Sequence, residues 1–252
     1  MSFDVEADAY DRFMGRYSRL LAPQLVDLAG LQVGDRALDV GCGTGALTGE
    51  LVARLGASSV TAVDPSEPFV DAVRTRYPGV EVHRGSAEAL PLEADVFDAA
   101  LAQLVVHFMA DPVAGLAGMR RVARPGGVVV AAVWDFAGGA APLSLFWRAA
   151  RALDPAVVDE SQRAGARAGH LPELFATAGL REVEETLLSI EREHADFEEW
   201  WEPYTGGVGP VGAYVRTLSP EHRDELRDRC REMLPDGPFT LISRAWATRG
   251  HA

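Results

Sequence analysis

The chain contains no lysine. All 24 of its basic residues are arginine, set against 37 acids, for a formal net charge of −13. A Schiff-base site therefore has no residue to form on, and the phosphate-cradling P-loop lacks the lysine its motif needs. Cysteine is nearly absent. Cys42 and Cys230 stand far apart, which excludes a Cys-x-x-Cys redox motif, a cysteine-rich zinc module and a disulfide framework. That usage suits a reducing compartment, and a cytoplasmic location is expected. The histidines at 83, 107, 170, 194, 222 and 251 form no His-Glu-x-x-His pair, so no metal is expected, and no Gly-x-Ser-x-Gly elbow is present. The longest apolar run, Val128 to Trp134, falls far short of the roughly 20 residues that span a bilayer. The acidic start, MSFDVEADAYD, has no apolar centre, so neither a signal peptide nor a membrane span is expected. The acidic balance also argues against nucleic acid and anionic membrane surfaces as partners.

What is present is an ordinary globular composition, 48% apolar and 24% charged. Periodicity predicts a helix over residues 4–29. Short apolar strands follow at 36–40, 60–63, 80–83, 98–103 and 128–134, each separated from the next by a helical pattern. Five alternations in about a hundred residues imply βαβ units and a doubly wound parallel sheet with helices on both faces. Beyond Trp134 the texture changes. Helices are predicted at 143–153, 172–178 and from Ser219-Pro220 onward, with strands at 181–190 and 239–248.

The most informative segment is Leu38-Asp39-Val40-Gly41-Cys42-Gly43-Thr44-Gly45-Ala46, where a strand turns into a helix. Glycine permits the tight turn and a close backbone approach to a ligand, and the helix start offers free N–H groups. Asp64, at the end of the next strand, can accept hydrogen bonds from a ribose diol. A dinucleotide such as NAD fits the loose Gly-x-Gly-x-x-Ala pattern. S-adenosylmethionine fits three further details. Asp39 places an acid where a ligand ammonium would need one. The glycines at 41, 43 and 45 are more tightly spaced than a pyrophosphate turn requires. Gly85 to Pro91 follows the third strand, where a nucleobase would sit.

These motifs resemble the class I S-adenosylmethionine-dependent methyltransferases. LDVGCGTG (38–45) is very close to that family's first motif. VDPS (63–66), GSAEALP (85–91), FDAALAQLVVHFMADP (97–112) and RPGG (124–127) are similar to the following ones, in order. The overall look is of the small-molecule branch, similar to quinone-biosynthesis-type enzymes. The resemblance implies a Rossmann-like seven-stranded sheet of order 3-2-1-4-5-7-6 with the last strand antiparallel. It implies S-adenosylmethionine as cofactor and methyl transfer by in-line displacement to an oxygen, nitrogen or carbon. Gly41, Cys42, Gly43 and Gly45 would cradle the methionyl end, with Asp39 near its amino group. Asp64 and Pro65 would meet the ribose. Ser86, Ala87 and Glu88 would meet the adenine, and Gln103 and Leu104 would close the pocket. Tyr10 or Arg16 of the N-terminal helix would reach the cofactor carboxylate. His107, just past the fourth strand, is the candidate general base, or else a histidine packed under its loop.

Residues 1–30 are then a helical cap. Residues 31–142, 171–190 and 238–252 form the cofactor-binding core, and 143–170 and 195–235 a helical lid over the acceptor, hinged at TGGVGPVG (205–212). Trp134, Phe136, Phe146, Trp147, Trp200, Trp201 and Tyr204 are candidates for an apolar acceptor pocket. Residues 182–202 hold nine acids against one arginine. They read as a solvated face or, more sharply, as an acidic rim that favours a neutral or cationic small-molecule acceptor. The protein is expected as a monomer or homodimer. Two rival readings share the loop: an NAD-type oxidoreductase, and a non-catalytic S-adenosylmethionine-binding protein.

Overall fold

The computed structural model describes residues 7–252. Its centre is a seven-stranded sheet of order β3-β2-β1-β4-β5-β7-β6, as the sequence implied. The strands are β1 (Ala37–Val40), β2 (Val60–Asp64), β3 (Glu81–Arg84), β4 (Phe97–Gln103), β5 (Ala123–Trp134), β6 (Arg181–His194) and β7 (Phe239–His251). The first five are parallel; β7 lies antiparallel between β5 and β6. Every residue of β1 and β2 is buried, as expected for central parallel strands covered on both faces. The edge strand β6 keeps most of its acids exposed.

The helices are α1 (Ala7–Tyr10), α2 (Arg16–Ala29), α3 (Ala46–Leu55), α4 (Glu67–Arg76), α5 (Pro112–Val122), α6 (Ser144–Leu153), α7 (His170–Thr177), α8 (Phe197–Trp201), α9 (Gly209–Thr217) and α10 (Pro220–Glu232). Ser219 caps α10 by accepting from the backbone N–H of His222, as its position before Pro220 suggested.

Three elements depart from the sequence reading. The N-terminal helix is not continuous. A π-type turn at Asp11–Gly15 separates α1 from α2, and the extra residue aims Asp11 at the glycine loop. There its carboxylate accepts from Thr44 Oγ1 at 2.5 Å and pairs with Arg76 at 2.7 Å. The start of that helix, residues 1–6, lies outside the described residues. Strand β5 begins at Ala123 rather than 128, because Arg124-Pro125-Gly126-Gly127 bulges between the pairs Phe97↔Ala123 and Ala99↔Val128. Strand β6 runs on to His194, held in register by Phe239 of β7.

Candidate functional site

The strand order reverses between β1 and β4, and a cavity of about 380 Å³ opens at the carboxyl ends of β1, β2 and β4. Such a switch point is where open α/β sheets hold ligands, and the volume suits a nucleoside-sized one. Gly41 makes the turn out of β1 with φ +72°. Its N–H and that of Cys42 both donate to Val63 C=O, at 2.7 and 3.1 Å. A Cβ at Gly41 would stand 2.5 Å from the Val105 side chain. Gly43 has φ +52°, and its Cβ position opens on the cavity, with the Tyr10 ring at 3.9 Å the one neighbour within reach among the described residues. A ligand can therefore approach the backbone at Gly43.

Gly45 answers to a different constraint. A Cβ there would come within 2.7 Å of the Tyr77 ring, so it is glycine to let α3 pack against the end of α4. Cys42 turns its side chain into a small apolar cluster with Ala62 and Val73, and burial pushes its thiol well up. It offers the cavity backbone only.

Asp64 lines the cavity at the end of β2. Its Oδ2 accepts from Gly43 N–H at 2.9 Å and its Oδ1 from Ser66 N–H at 2.8 Å, so the carboxylate locks the loop and keeps lone pairs for a ligand. Burial raises its pKa. Asp39 lies beneath the loop, 1% exposed, accepting from Thr48 Oγ1 at 2.6 Å; burial pushes it up to about 7. Gln103 and Leu104 both reach the cavity wall. Gln103 Nε2 donates to Ser18 C=O at 3.0 Å, while its buried Oε1 has no partner among the described residues. Leu104 holds φ +62°, a strained conformation for a branched side chain, at the point where β4 delivers the chain to the site.

Several expected contacts are not brought to the cavity. Ser86, Ala87 and Glu88 do not line it. Ala87 is buried under α5, where Gly115 and Gly118 leave room for it. Burial would raise the Glu88 pKa, but backbone hydrogen bonds hold the carboxyl below its ordinary value. Its Oε1 accepts from Ala110 N–H at 2.9 Å, capping the approach to α5. The wall comes instead from Pro65, the Ser66–Phe69 segment and Arg84. Ser66 closes the VDPS segment, two residues past Asp64, and its N–H donates to that carboxylate.

Tyr10 forms the roof, its ring tilted against Phe69 at 5.2 Å. Arg16 must be corrected as a cofactor contact. Its guanidinium is 9% exposed and turns away from the cavity to Glu199, with Nη1 to Oε1 at 2.9 Å. The acid-rich stretch is likewise corrected as an acceptor rim. None of residues 182–202 lines the cavity or the pocket beside it. Glu199 is held by Arg16, Arg192 and His194, and Glu198 by Arg227 and Arg231.

Beside the cavity lies a narrow apolar pocket of about 30 Å³, and the two share the walls Tyr10, Leu104 and Phe108. His107, Trp134 and Phe136 line it, while Phe146, Trp200 and Tyr204 belong to the core, with Phe146 stacked on Tyr204 at 5.2 Å. His107 as a general base needs correction. Burial, helped by the Arg163 charge, lowers its pKa to about 3, so the imidazole stays neutral and takes up a proton poorly near neutral pH. Sequence reading missed Glu160, a carboxylate 2% exposed in the same pocket. It stands in a stretch without regular structure, and no periodicity or motif marks it.

Residues 38–131 match the family model described as a methyltransferase domain. An uncharacterised methyltransferase of Mycobacterium tuberculosis is 35% identical over 127 residues, covering 50% of this chain and 49% of that protein. A ubiquinone biosynthesis O-methyltransferase of Rhizobium etli is 39% identical over 117 residues, 45% of this chain and 46% of that one. The chain spans a third to a half of the length of the curated relatives it matches. Among solved structures, the phosphoethanolamine N-methyltransferase 2 of Haemonchus contortus, held with S-adenosylhomocysteine, superposes with a TM-score of 0.57 at 16% identity. That match covers 100% of this chain and 60% of that one.

Proposed function

We propose that the chain is a class I S-adenosylmethionine-dependent methyltransferase, and that it moves a methyl group from S-adenosylmethionine to a small-molecule acceptor. The observation that carries this reading is the pairing of two spaces. A nucleoside-sized cavity at the β1/β4 switch point shares three wall residues with a narrow apolar pocket.

The residues present fit the cofactor. Gly43 leaves its Cβ position open to the cavity, and the Gln103 Oε1 acceptor is unpartnered at its wall. Gly41 and Gly43 would hold the methionyl end, Asp39 would face its ammonium through the loop, and Asp64 would accept from the ribose hydroxyls. The bound cofactor supplies an already activated methyl group, so the protein needs no covalent nucleophile. Its own residues orient: Tyr10 and Phe69 cover the ligand, and Leu104 and Phe108 separate it from the acceptor side. Residues 143–170 and 195–235 serve as the acceptor lid. Leu143 and Glu160 come from the first segment and Gly209 and Pro210 from the second, and all four line the apolar pocket. No helix among the described residues is long and apolar enough to cross a membrane.

Calorimetry with S-adenosylhomocysteine and with NADH tests the cofactor. Micromolar binding of the first and none of the second is expected; the reverse would return the chain to the oxidoreductase reading. Incubation with methyl-labelled cofactor and a metabolite extract then tests turnover. Label appearing in no fraction despite tight binding would leave a non-catalytic binding protein.

A further inference from the structure

The narrow pocket carries polar groups that packing alone does not explain. His107 is 6% exposed and Trp134 1% exposed. Both line the pocket, and His107 Nδ1 and Trp134 Nε1 have no hydrogen-bond partner among the described residues. A buried polar group without a partner is costly, and two on the wall of one pocket point to an occupant that satisfies them. The third polar group is Glu160. Its Oε2 accepts from Trp147 Nε1 at 3.1 Å, which fixes the side chain and leaves acceptor capacity on the carboxylate.

Resting on the methyltransferase reading above, we propose that this pocket is the acceptor subsite and that Glu160 takes the acceptor's proton. The acceptor is an uncharged, largely apolar molecule whose methylated oxygen carries a hydrogen for Glu160 and can itself accept from Trp134.

Each part follows from a named group. The Trp134 indole can only donate, so the ligand must bring an acceptor oxygen. The Glu160 carboxylate can only accept while ionised, so the ligand must bring an O–H. An anionic ligand would set two like charges together where water is excluded, which rules out carboxylates and phosphates. His107 does not compete for the proton, since burial lowers its pKa to about 3, whereas burial raises the Glu160 pKa against the opposing Trp147 hydrogen bond and Arg163 charge.

The reaction balances. The acceptor atom forms a bond to the methyl carbon, the methyl–sulfur bond breaks with its electron pair left on sulfur, and the acceptor's proton passes to Glu160. The positive sulfonium charge and the negative carboxylate charge are lost together, so no isolated charge is left in the apolar space. A pocket of about 30 Å³ holds no more than a water or two. Entry of the acceptor therefore displaces the wall at Gly209-Pro210, which follows Gly206 and the left-handed Gly207 (φ +76°).

The test is calorimetric titration of 2-naphthol, naphthalene and 2-naphthoate into the full chain saturated with S-adenosylhomocysteine, for wild type and Glu160→Gln. Glutamine can still accept from Trp147, so the variant should melt with wild type and bind S-adenosylhomocysteine equally. Wild type is expected to bind 2-naphthol at least tenfold more tightly than the other two, and the variant to lose that preference. With methyl-labelled cofactor, transfer to 2-naphthol should fall at least 100-fold in the variant, along with the acidic limb of the wild-type pH profile. Equal binding of the three probes, binding of none, or an unchanged preference in Glu160→Gln would overturn the proposal. Failure of wild type to bind S-adenosylhomocysteine would instead overturn the methyltransferase reading itself.

Discussion

The two ends of the site are built in different ways. On the cofactor side, the groups other than Tyr10 sit within a few residues of a strand's end. Asp64 fixes the loop through Gly43 and through Ser66, its near neighbour. On the proposed acceptor side, the groups are fixed by side-chain partners on other elements. Glu160 is held by Trp147 of α6, and α8 is tied to α2 by Glu199 and Arg16, 183 positions apart. Backbone geometry dictates the first arrangement, whereas side-chain packing between elements dictates the second. Mutations should therefore act through backbone strain on one side and through lost partners on the other.

The largest expected effect is on the cofactor side, at Gly41→Ala. The residue would carry φ +72° and press a methyl 2.5 Å from Val105. Left-handed backbone costs about 1–2 kcal/mol and overpacking roughly 1–3 more. S-adenosylhomocysteine binding should weaken at least 100-fold, with a clear drop in melting temperature. The matched change on the other side is Gly206→Ala, where an added Cβ meets nothing within 4 Å; there stability should move by less than about 0.5 kcal/mol. Should Gly41→Ala bind as wild type does, the turn does not require glycine and the contrast fails.

The same contrast governs what could be read from sequence. The strand–helix alternation and the glycine loop were legible because strand, turn and helix signals lie next to one another, whereas the sheet order followed only from the family resemblance. Asp64 was legible as a strand-end acid. Glu88 misled because its motif position suggests a ligand contact, whereas the chain uses the carboxylate to cap residues 110 and 111. Arg16 misled for a related reason: an arginine facing inward from a cap helix can meet a ligand or a buried acid, and only the fold supplies Glu199. Glu160 was not legible at all, since it lies in a stretch without regular structure and its burial depends on contacts such as the one from Trp147 of α6.

A smaller effect, confined to stability, is expected at Glu199→Ala. Arg16 is 9% exposed and would be left buried with its charge uncompensated. Breaking a buried pair in this way costs about 3–5 kcal/mol, lowered toward about 2–3 here because Glu199 itself is one-third exposed. Chemical denaturation should show that loss, while S-adenosylhomocysteine affinity stays within about threefold. Acid should act on the same junction. Burial lowers the His194 pKa despite Glu199, so the folded state resists the proton that the unfolded chain accepts. Stability should begin to fall as pH drops below the ordinary histidine value of about 6.5. An equal loss of cofactor affinity in the alanine variant would show that the acceptor-side packing also shapes the loop.

The smallest effect sharpens the contrast, because it is electrostatic on the side where backbone geometry dominates. Burial raises the Asp39 pKa from 3.8 to about 7. In the free protein this carboxyl binds a proton that the unfolded chain has released, so its contribution to stability falls as pH rises through that window. A ligand ammonium favours the ionised form. Below pH 7, part of the binding energy must then go into removing the proton. Affinity for S-adenosylhomocysteine should rise from pH 5.5 to about 7 and then level off, with proton release detectable by calorimetry in two buffers of different ionisation enthalpy. In Asp39→Asn the rise should vanish, and affinity at pH 8 should be about tenfold weaker, the loss of one charge acting through the loop. A flat wild-type profile with no proton release would mean that Asp39 serves Thr48 alone. The ammonium would then be held by the backbone of the loop, and the cofactor side would owe its affinity to geometry without help from this charge.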